Sequence, residues 1–183
     1  TKKYGDKTVV NHISFHIPKG EIFGLIGPNG AGKSTLIKIM TGLTKQNHGE
    51  VEIDGMTFAT NAMAIKRKLG VVPQELALLE VISGRDNLEY FGRMYGLTGK
   101  TLKTKIDQVL ELTGLTDHQK KKVKTYSGGM KRRINLAAAI MHDPEYLILD
   151  EPTVGVDPQS RNHIFDYVKE MNKKGTTVLY TSH

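Results

Sequence analysis

Apolar positions recur along this chain with two periods, and the changes from one to the other mark out strands and helices. Ile13, Phe15 and Ile17 alternate with His12, Ser14 and His16, the period-2 spacing of a half-buried strand. Residues 21–26 (Glu-Ile-Phe-Gly-Leu-Ile) form a short apolar run of the kind a buried parallel strand uses, and residues 36–40 start a helix after a glycine-rich break. Residues 49–55 read as a short strand closed by an Asp54-Gly55 turn, and residues 69–72 as a strand that Pro73 ends. From about residue 83 to 124 the character is helical: Leu88, Phe91 and Tyr95, then Ile106, Val109, Leu110 and Leu112, recur at helical spacing without a strand signal. Ile134, Ala137, Ala138 and Met141 mark one helix face, and Ile164, Tyr167, Val168 and Met171 another, opened by Pro158 in its first turn. Residues 146–149 read as a buried strand, and residues 176–180 as the last strand-like run. Strands separated by helices predict a mostly parallel α/β sheet.

Composition narrows the class. The 183 residues, 38% hydrophobic and 25% charged, describe a globular chain long enough for a real core. The longest apolar run, residues 136–141, falls far short of the roughly 20 residues of a membrane span, and no signal peptide is visible at the start. The lack of cysteine excludes disulfides and thiolate metal sites and fits a reducing compartment. A net charge of +7, from 26 basic and 19 acidic residues, favours anionic partners: nucleotide, acidic lipid or nucleic acid. The densest basic run, Lys120-Lys121-Lys122-Val123-Lys124, reads as a solvated helix face, with a membrane surface as the second reading. The chain starts at Thr1 and stops at His183 directly after a strand-like run, so it reads as a fragment.

Gly27-Pro28-Asn29-Gly30-Ala31-Gly32-Lys33-Ser34-Thr35 fits the P-loop pattern G-x-x-x-x-G-K-[ST] between a strand and a helix, the context the motif requires. Its glycines let backbone N–H groups turn toward phosphate oxygens, and the helix N-terminus adds positive potential. Lys33 would bridge the outer phosphates and the Ser34 hydroxyl would take a Mg²⁺ position. Asp150 and Glu151 end the buried strand at 146–149, where ligands of open α/β sheets gather. Asp150 suits an outer-shell Mg²⁺ ligand, and Glu151 sits where an attacking water could lie. Ser127-Gly128-Gly129 opens a helix starting near Met130 and builds a second anion-binding terminus.

Together these motifs resemble the nucleotide-binding domain of ATP-binding-cassette (ABC) proteins from end to end. Residues 27–35 are similar to Walker A, Gln74 to the Q-loop glutamine, and Ser127-Gly128-Gly129 to the core of the signature. Residues 146–151 match Walker B, Asp157 the D-loop aspartate, His183 the switch histidine, and Tyr4 the aromatic residue that stacks on adenine. Tyr126 and Met130 stand where the signature usually has Leu and Gln; with Lys131-Arg132-Arg133 this resembles the subgroup serving bacterial ABC-2-type exporters.

The resemblance implies a P-loop NTPase fold with a mostly parallel sheet, an N-terminal antiparallel β portion and an inserted helical subdomain. Its divisions would be 1–82, 83–125 and 126–183. It implies ATP and Mg²⁺ bound by Tyr4, Asn29, Gly30, Ala31, Gly32, Lys33, Ser34 and Thr35, with Gln74 and Asp150 near the metal. Ser127, Gly128 and Gly129 would meet ATP held by a second cassette, identical or similar, with Asp157 at that contact. Glu151 would be the general base, with Lys33, Gln74 and His183 completing the catalytic set. His12, His16, His48, His118, His142 and His163 read as structural or exposed. The partners would be integral membrane transporter subunits and no specific nucleic acid, with the protein cytoplasmic and peripheral on the inner face of the membrane. The competing class is a soluble ABC ATPase acting on ribosomes or DNA; a P-loop kinase or GTPase would not need Ser127-Gly128-Gly129.

Overall fold

The computed structural model describes residues 1–182. A four-stranded parallel sheet of order β3-β8-β7-β6 forms its centre, from β3 (Ile22–Ile26), β6 (Leu69–Val72), β7 (Tyr146–Leu149) and β8 (Thr177–Ser182). The register brings Val72 beside Leu149, Leu149 beside Tyr180, and Ile26 beside Ser182. The residues that follow β3, β6 and β7 therefore leave the sheet at one edge, the carboxyl edge where ligands of such sheets bind. Two small antiparallel pairs stand apart: β1 (Lys2–Tyr4) with β2 (Lys7–Val10), and β4 (Glu52–Ile53) with β5 (Met56–Thr57) across the Asp54-Gly55 turn.

The alternation of strand side chains feeds two cores. Leu147, Leu149 and Val178 join one buried cluster with Leu88, Leu102, Ile106, Leu110 and Ile134. These come from α3 (Gly84–Met94), α4 (Gly99–Leu112) and α5 (Gly128–Ala139). Ile148 and Leu179 point the other way, to Ile37 of α1 (Lys33–Met40) and Ile65 of α2 (Phe58–Lys68). Burial of each such side chain contributes about 1.5–3 kcal/mol, so the helices are held to the sheet by their apolar faces rather than by propensity. Ser83 and Asp86 form a capping box on α3, and Asp157 with Pro158 starts α6 (Pro158–Lys173).

Four expectations need correction. Residues 13–17 form no ladder: Ile13 and Phe15 are exposed, and Phe15 stacks on Phe23 with centroids 5.4 Å apart. Alternation states which side chains share a face but cannot supply a pairing partner, and His12 takes a left-handed φ of 46° just before the run. Strand β3 is parallel but lies at the sheet edge among the described residues, and Ile26 is 70% exposed rather than buried. Helix α1 begins at Lys33, three residues before the apolar run, because the loop glycines end at Gly32. Lys120, Lys121, Lys122 and Lys124 are exposed, but on a turn, an isolated bridge from Lys122 to Ser83 and a short 3-10 segment rather than a helix face.

Candidate functional site

Beyond β3 the chain turns through Gly30 (φ 79°) and Gly32 (φ 90°) and enters α1. Gly32 is doubly constrained. Its backbone is left-handed, and a Cβ there would lie 2.5 Å from the Val9 carbonyl oxygen. As the N-cap it offers no side chain, so the first N–H groups of α1 keep their capacity for an outside acceptor. Asn29, Gly30 and Ala31 are exposed on the loop, and Ser34 and Thr35 are half-buried in the first turn. Lys33 is only 7% exposed. Its Nζ donates to Gly27 O (2.6 Å) and Pro28 O (3.2 Å) and lies 3.6 Å from Glu151 Oε1.

The carboxylates come from the end of β7. Asp150 and Glu151 are 6% and 5% exposed, and Asp150 N–H donates to Val72 O at 2.9 Å, continuing the ladder by one residue. Glu151 then breaks away with φ 50°, a left-handed conformation uncommon for a residue with a side chain. Its N–H donates to Thr181 Oγ1 (2.9 Å), and that hydroxyl donates to Asp150 Oδ1 (2.8 Å). Gln74 Nε2 donates to Glu151 Oε2 at 3.0 Å. Glu151 thus stands between the ammonium of the glycine loop and the amide of the segment after β6.

Ser127-Gly128-Gly129 builds a second helix start. Ser127 caps α5, its hydroxyl accepting from Met130 N–H at 3.3 Å. A Cβ at Gly129 would lie 2.3 Å from Ser160 Oγ and 2.8 Å from Asp157 Oδ2, so this glycine is what lets α5 approach the start of α6. Asp157 Oδ1 accepts from Ser160 N–H at 2.9 Å, and that bond holds its carboxyl below the ordinary range. Tyr126 fills a structural role: its hydroxyl donates to His118 O at 2.8 Å. Tyr4 ends β1, 50% exposed, with the Lys2 ammonium 4.9 Å from its ring centroid.

The structure therefore brings Lys33, Gln74, Asp150 and Glu151 together, and puts Ser127, Gly128, Gly129 and Asp157 in a separate group. His183 lies outside the described residues. Helix α5 links the groups: the Arg132 guanidinium donates to Gln74 O, Asn135 Oδ1 accepts from Ala77 N–H (3.2 Å), and Lys131 pairs with Glu80 (2.8 Å). Sequence reasoning missed Thr181 and Arg132. Thr181 shares a strand face with buried Leu179, and a hydroxyl at an inward strand position is a signal that could have found it. Arg132 sits in a basic run, and nothing local separates a bonded guanidinium from a solvated one.

A family model described as ABC transporter matches residues 10–154. The linearmycin resistance ATP-binding protein LnrL of Bacillus subtilis (strain 168) is 53% identical over 182 residues, covering 100% of this chain and 58% of that protein. The Nod factor export ATP-binding protein I of Rhizobium meliloti (strain 1021) is 42% identical over 183 residues, covering 100% of this chain and 55% of that one. This chain thus spans little more than half the length of these curated relatives. A solved dimer of an ATP-binding cassette in a post-hydrolysis state, bound to ADP and Pi, matches with TM-score 0.89 and 26% identity, covering 99% of this chain and 83% of that one.

Proposed function

The chain belongs to the ABC transporter family, and from that premise we propose that it hydrolyses ATP to power a membrane exporter of the ABC-2 type. The observation that supports this most is the convergence of Lys33 and Gln74 on Glu151 at the head of α1. The loop amides and Lys33 hold the phosphate chain, Lys33 exchanging its bonds to Gly27 O and Pro28 O for phosphate oxygens. Glu151 orients the attacking water; a free Glu titrates near about 4.3, so it is a weak base and positioning counts as much as proton abstraction. Tyr4 packs against the adenine, and His183 serves as the sensor of the γ-phosphate.

The donor set fits Mg²⁺. A hydroxyl (Ser34), an amide (Gln74) and a carboxylate (Asp150) supply hard oxygen atoms at the α1 end of the site. So few oxygen ligands suit an ion that takes one or two groups from the protein and fills its shell with phosphate oxygens and water. Bound there, Mg²⁺ would neutralise charge on the phosphates. Ser34 would be its direct ligand, with Gln74 and Asp150 near its water shell.

The exposed Ser127-Gly128 start of α5 meets ATP carried by a second cassette, identical or similar, with Asp157 at the contact. ATP closes this pair, and hydrolysis with phosphate release lets it open. The helical part, 83–125, with the Gln74 segment at its base, meets integral membrane subunits, placing the protein on the inner face of the membrane. No described helix is long and apolar enough to cross a membrane itself. The test uses the full-length protein carrying Glu151→Gln, held in ATP, as bait in solubilised cells. A multi-span membrane protein should co-purify; ribosomal or DNA-repair components in its place would move the protein to the soluble class.

A further inference from the structure

Thr181 is 1% exposed, and its hydroxyl makes two hydrogen bonds at once. Its Oγ1 accepts from the Glu151 N–H at 2.9 Å and donates to Asp150 Oδ1 at 2.8 Å. A hydroxyl is donor and acceptor at one atom, which the side chains of valine and alanine cannot be. We infer that Thr181 is a positioning residue for phosphoryl transfer, acting through Glu151 and Asp150; the inference rests on the hydrolytic reading above.

The backbone explains why the hydroxyl is needed. Glu151 turns left-handed as it leaves β7, and its buried N–H takes the side chain of the neighbouring strand as its acceptor. The same atom fixes one oxygen of Asp150, so a single buried group sets both the direction in which Glu151 leaves the strand and the rotation of the Asp150 carboxylate. Thr181 also registers with Leu25 on β3, two residues before the glycine loop starts. The strand that carries the hydroxyl is therefore laid directly against the strand that aims Lys33. Its branched Cβ restricts χ1 and keeps the oxygen in place. Displacement of a reacting group by about 1 Å can cost on the order of 100-fold in rate, so loss of this bridge should appear in turnover more than in nucleotide binding.

The experiment compares Thr181→Val, Thr181→Ala and Thr181→Ser in the full-length protein, measuring kcat and KM for ATP hydrolysis, with thermal unfolding as the control. Thr181→Val keeps the shape and should lower kcat by about 10- to 100-fold while KM for ATP moves by less than about threefold. Thr181→Ser should retain most of the parent rate, and Thr181→Ala should behave like Thr181→Val. Serine and alanine both lack the methyl, so they isolate the hydroxyl even where Thr181→Val does not fold. Equal kcat in these two, parent kcat in Thr181→Val, or an effect confined to KM would overturn the inference. A parent protein without ATPase activity sensitive to Glu151→Gln would instead remove the hydrolytic reading, and this inference with it.

Discussion

Helix α1 follows Gly32 as its N-cap and α5 opens on Gly128 and Gly129, yet the surroundings of the two starts differ in kind. At α1 the loop closes on buried charge: Lys33 lies 3.6 Å from Glu151, and Gln74 and Asp150 stand beside it. At α5 the start is exposed at Ser127 and Gly128, and the nearest groups to Gly129 are Ser160 and the Asp157 carboxylate. One terminus is a site with its chemistry assembled within the chain. At the other, the opening serine and first glycine face solvent, the arrangement that the proposed contact with a second cassette requires. Burial also separates them, since electrostatic contacts are worth far more at buried Lys33 and Glu151 than at an exposed turn.

Substitutions at the two termini should break different steps. Glu151→Gln keeps the hydrogen bond to Gln74 but removes the base, so phosphate release should fall by at least about 100-fold with ATP affinity retained and a longer-lived ATP-bound dimer. Turnover near the parent rate would take Glu151 out of that role. Lys33→Ala should weaken ATP binding by about 10- to 100-fold, the worth of a charge-assisted hydrogen bond, by calorimetric titration; unchanged affinity would mean the loop does not hold phosphate.

Gly129→Ala tests the other terminus. The added Cβ meets Ser160 and Asp157, costing about 1–3 kcal/mol in denaturant unfolding. It should abolish ATP-induced association in sedimentation while the P-loop of the monomer still binds ATP. Loss of both functions together would show that the two termini are not separable.

Arg132→Ala cuts the tie between α5 and the Gln74 carbonyl. It should lower turnover by about 2- to 10-fold, the range of a single hydrogen bond, with little effect on ATP affinity; an unchanged rate would leave the two termini uncoupled through α5. The smallest effect concerns the far end of that helix. His142 stacks on Tyr95 with centroids 3.6 Å apart, and its Nε2 sits 3.0 Å from Leu69 O. Burial lowers its pKa, outweighing the Leu69 carbonyl and Asp143, which raise it; Lys105 adds to the lowering. The folded state therefore favours neutral imidazole. The stability this contributes is complete above about 6.5, the unfolded value, and is lost as pH falls from there toward the lower folded pKa. Urea midpoints at pH 7.5 and 5.5 should draw closer together in His142→Asn; an unchanged gap would place the pH dependence elsewhere.

Much of this was legible in the chain because it is local. A glycine loop between a strand and a helix, two carboxylates at a strand end and a Ser-Gly-Gly helix start are each short enough to be read without long-range contacts, and Pro158 opens α6 where the pattern put it. Family resemblance then united motifs that spacing alone could not join.

Tertiary structure decided what depends on neighbours. Whether residues 13–17 pair, and whether β3 is central or an edge, depends on which strands lie alongside, and a period-2 pattern does not carry that information. The bridge from Thr181 to Asp150 and Glu151 spans about 30 positions of chain, and the tie from Arg132 to Gln74 about twice that. Such contacts exist only after β6, β7 and β8 settle into register. The sequence by itself marked candidate groups for phosphate chemistry; the parallel register brought Lys33, Gln74, Asp150 and Glu151 to one edge, and set one buried hydroxyl between the Asp150 carboxylate and the Glu151 N–H.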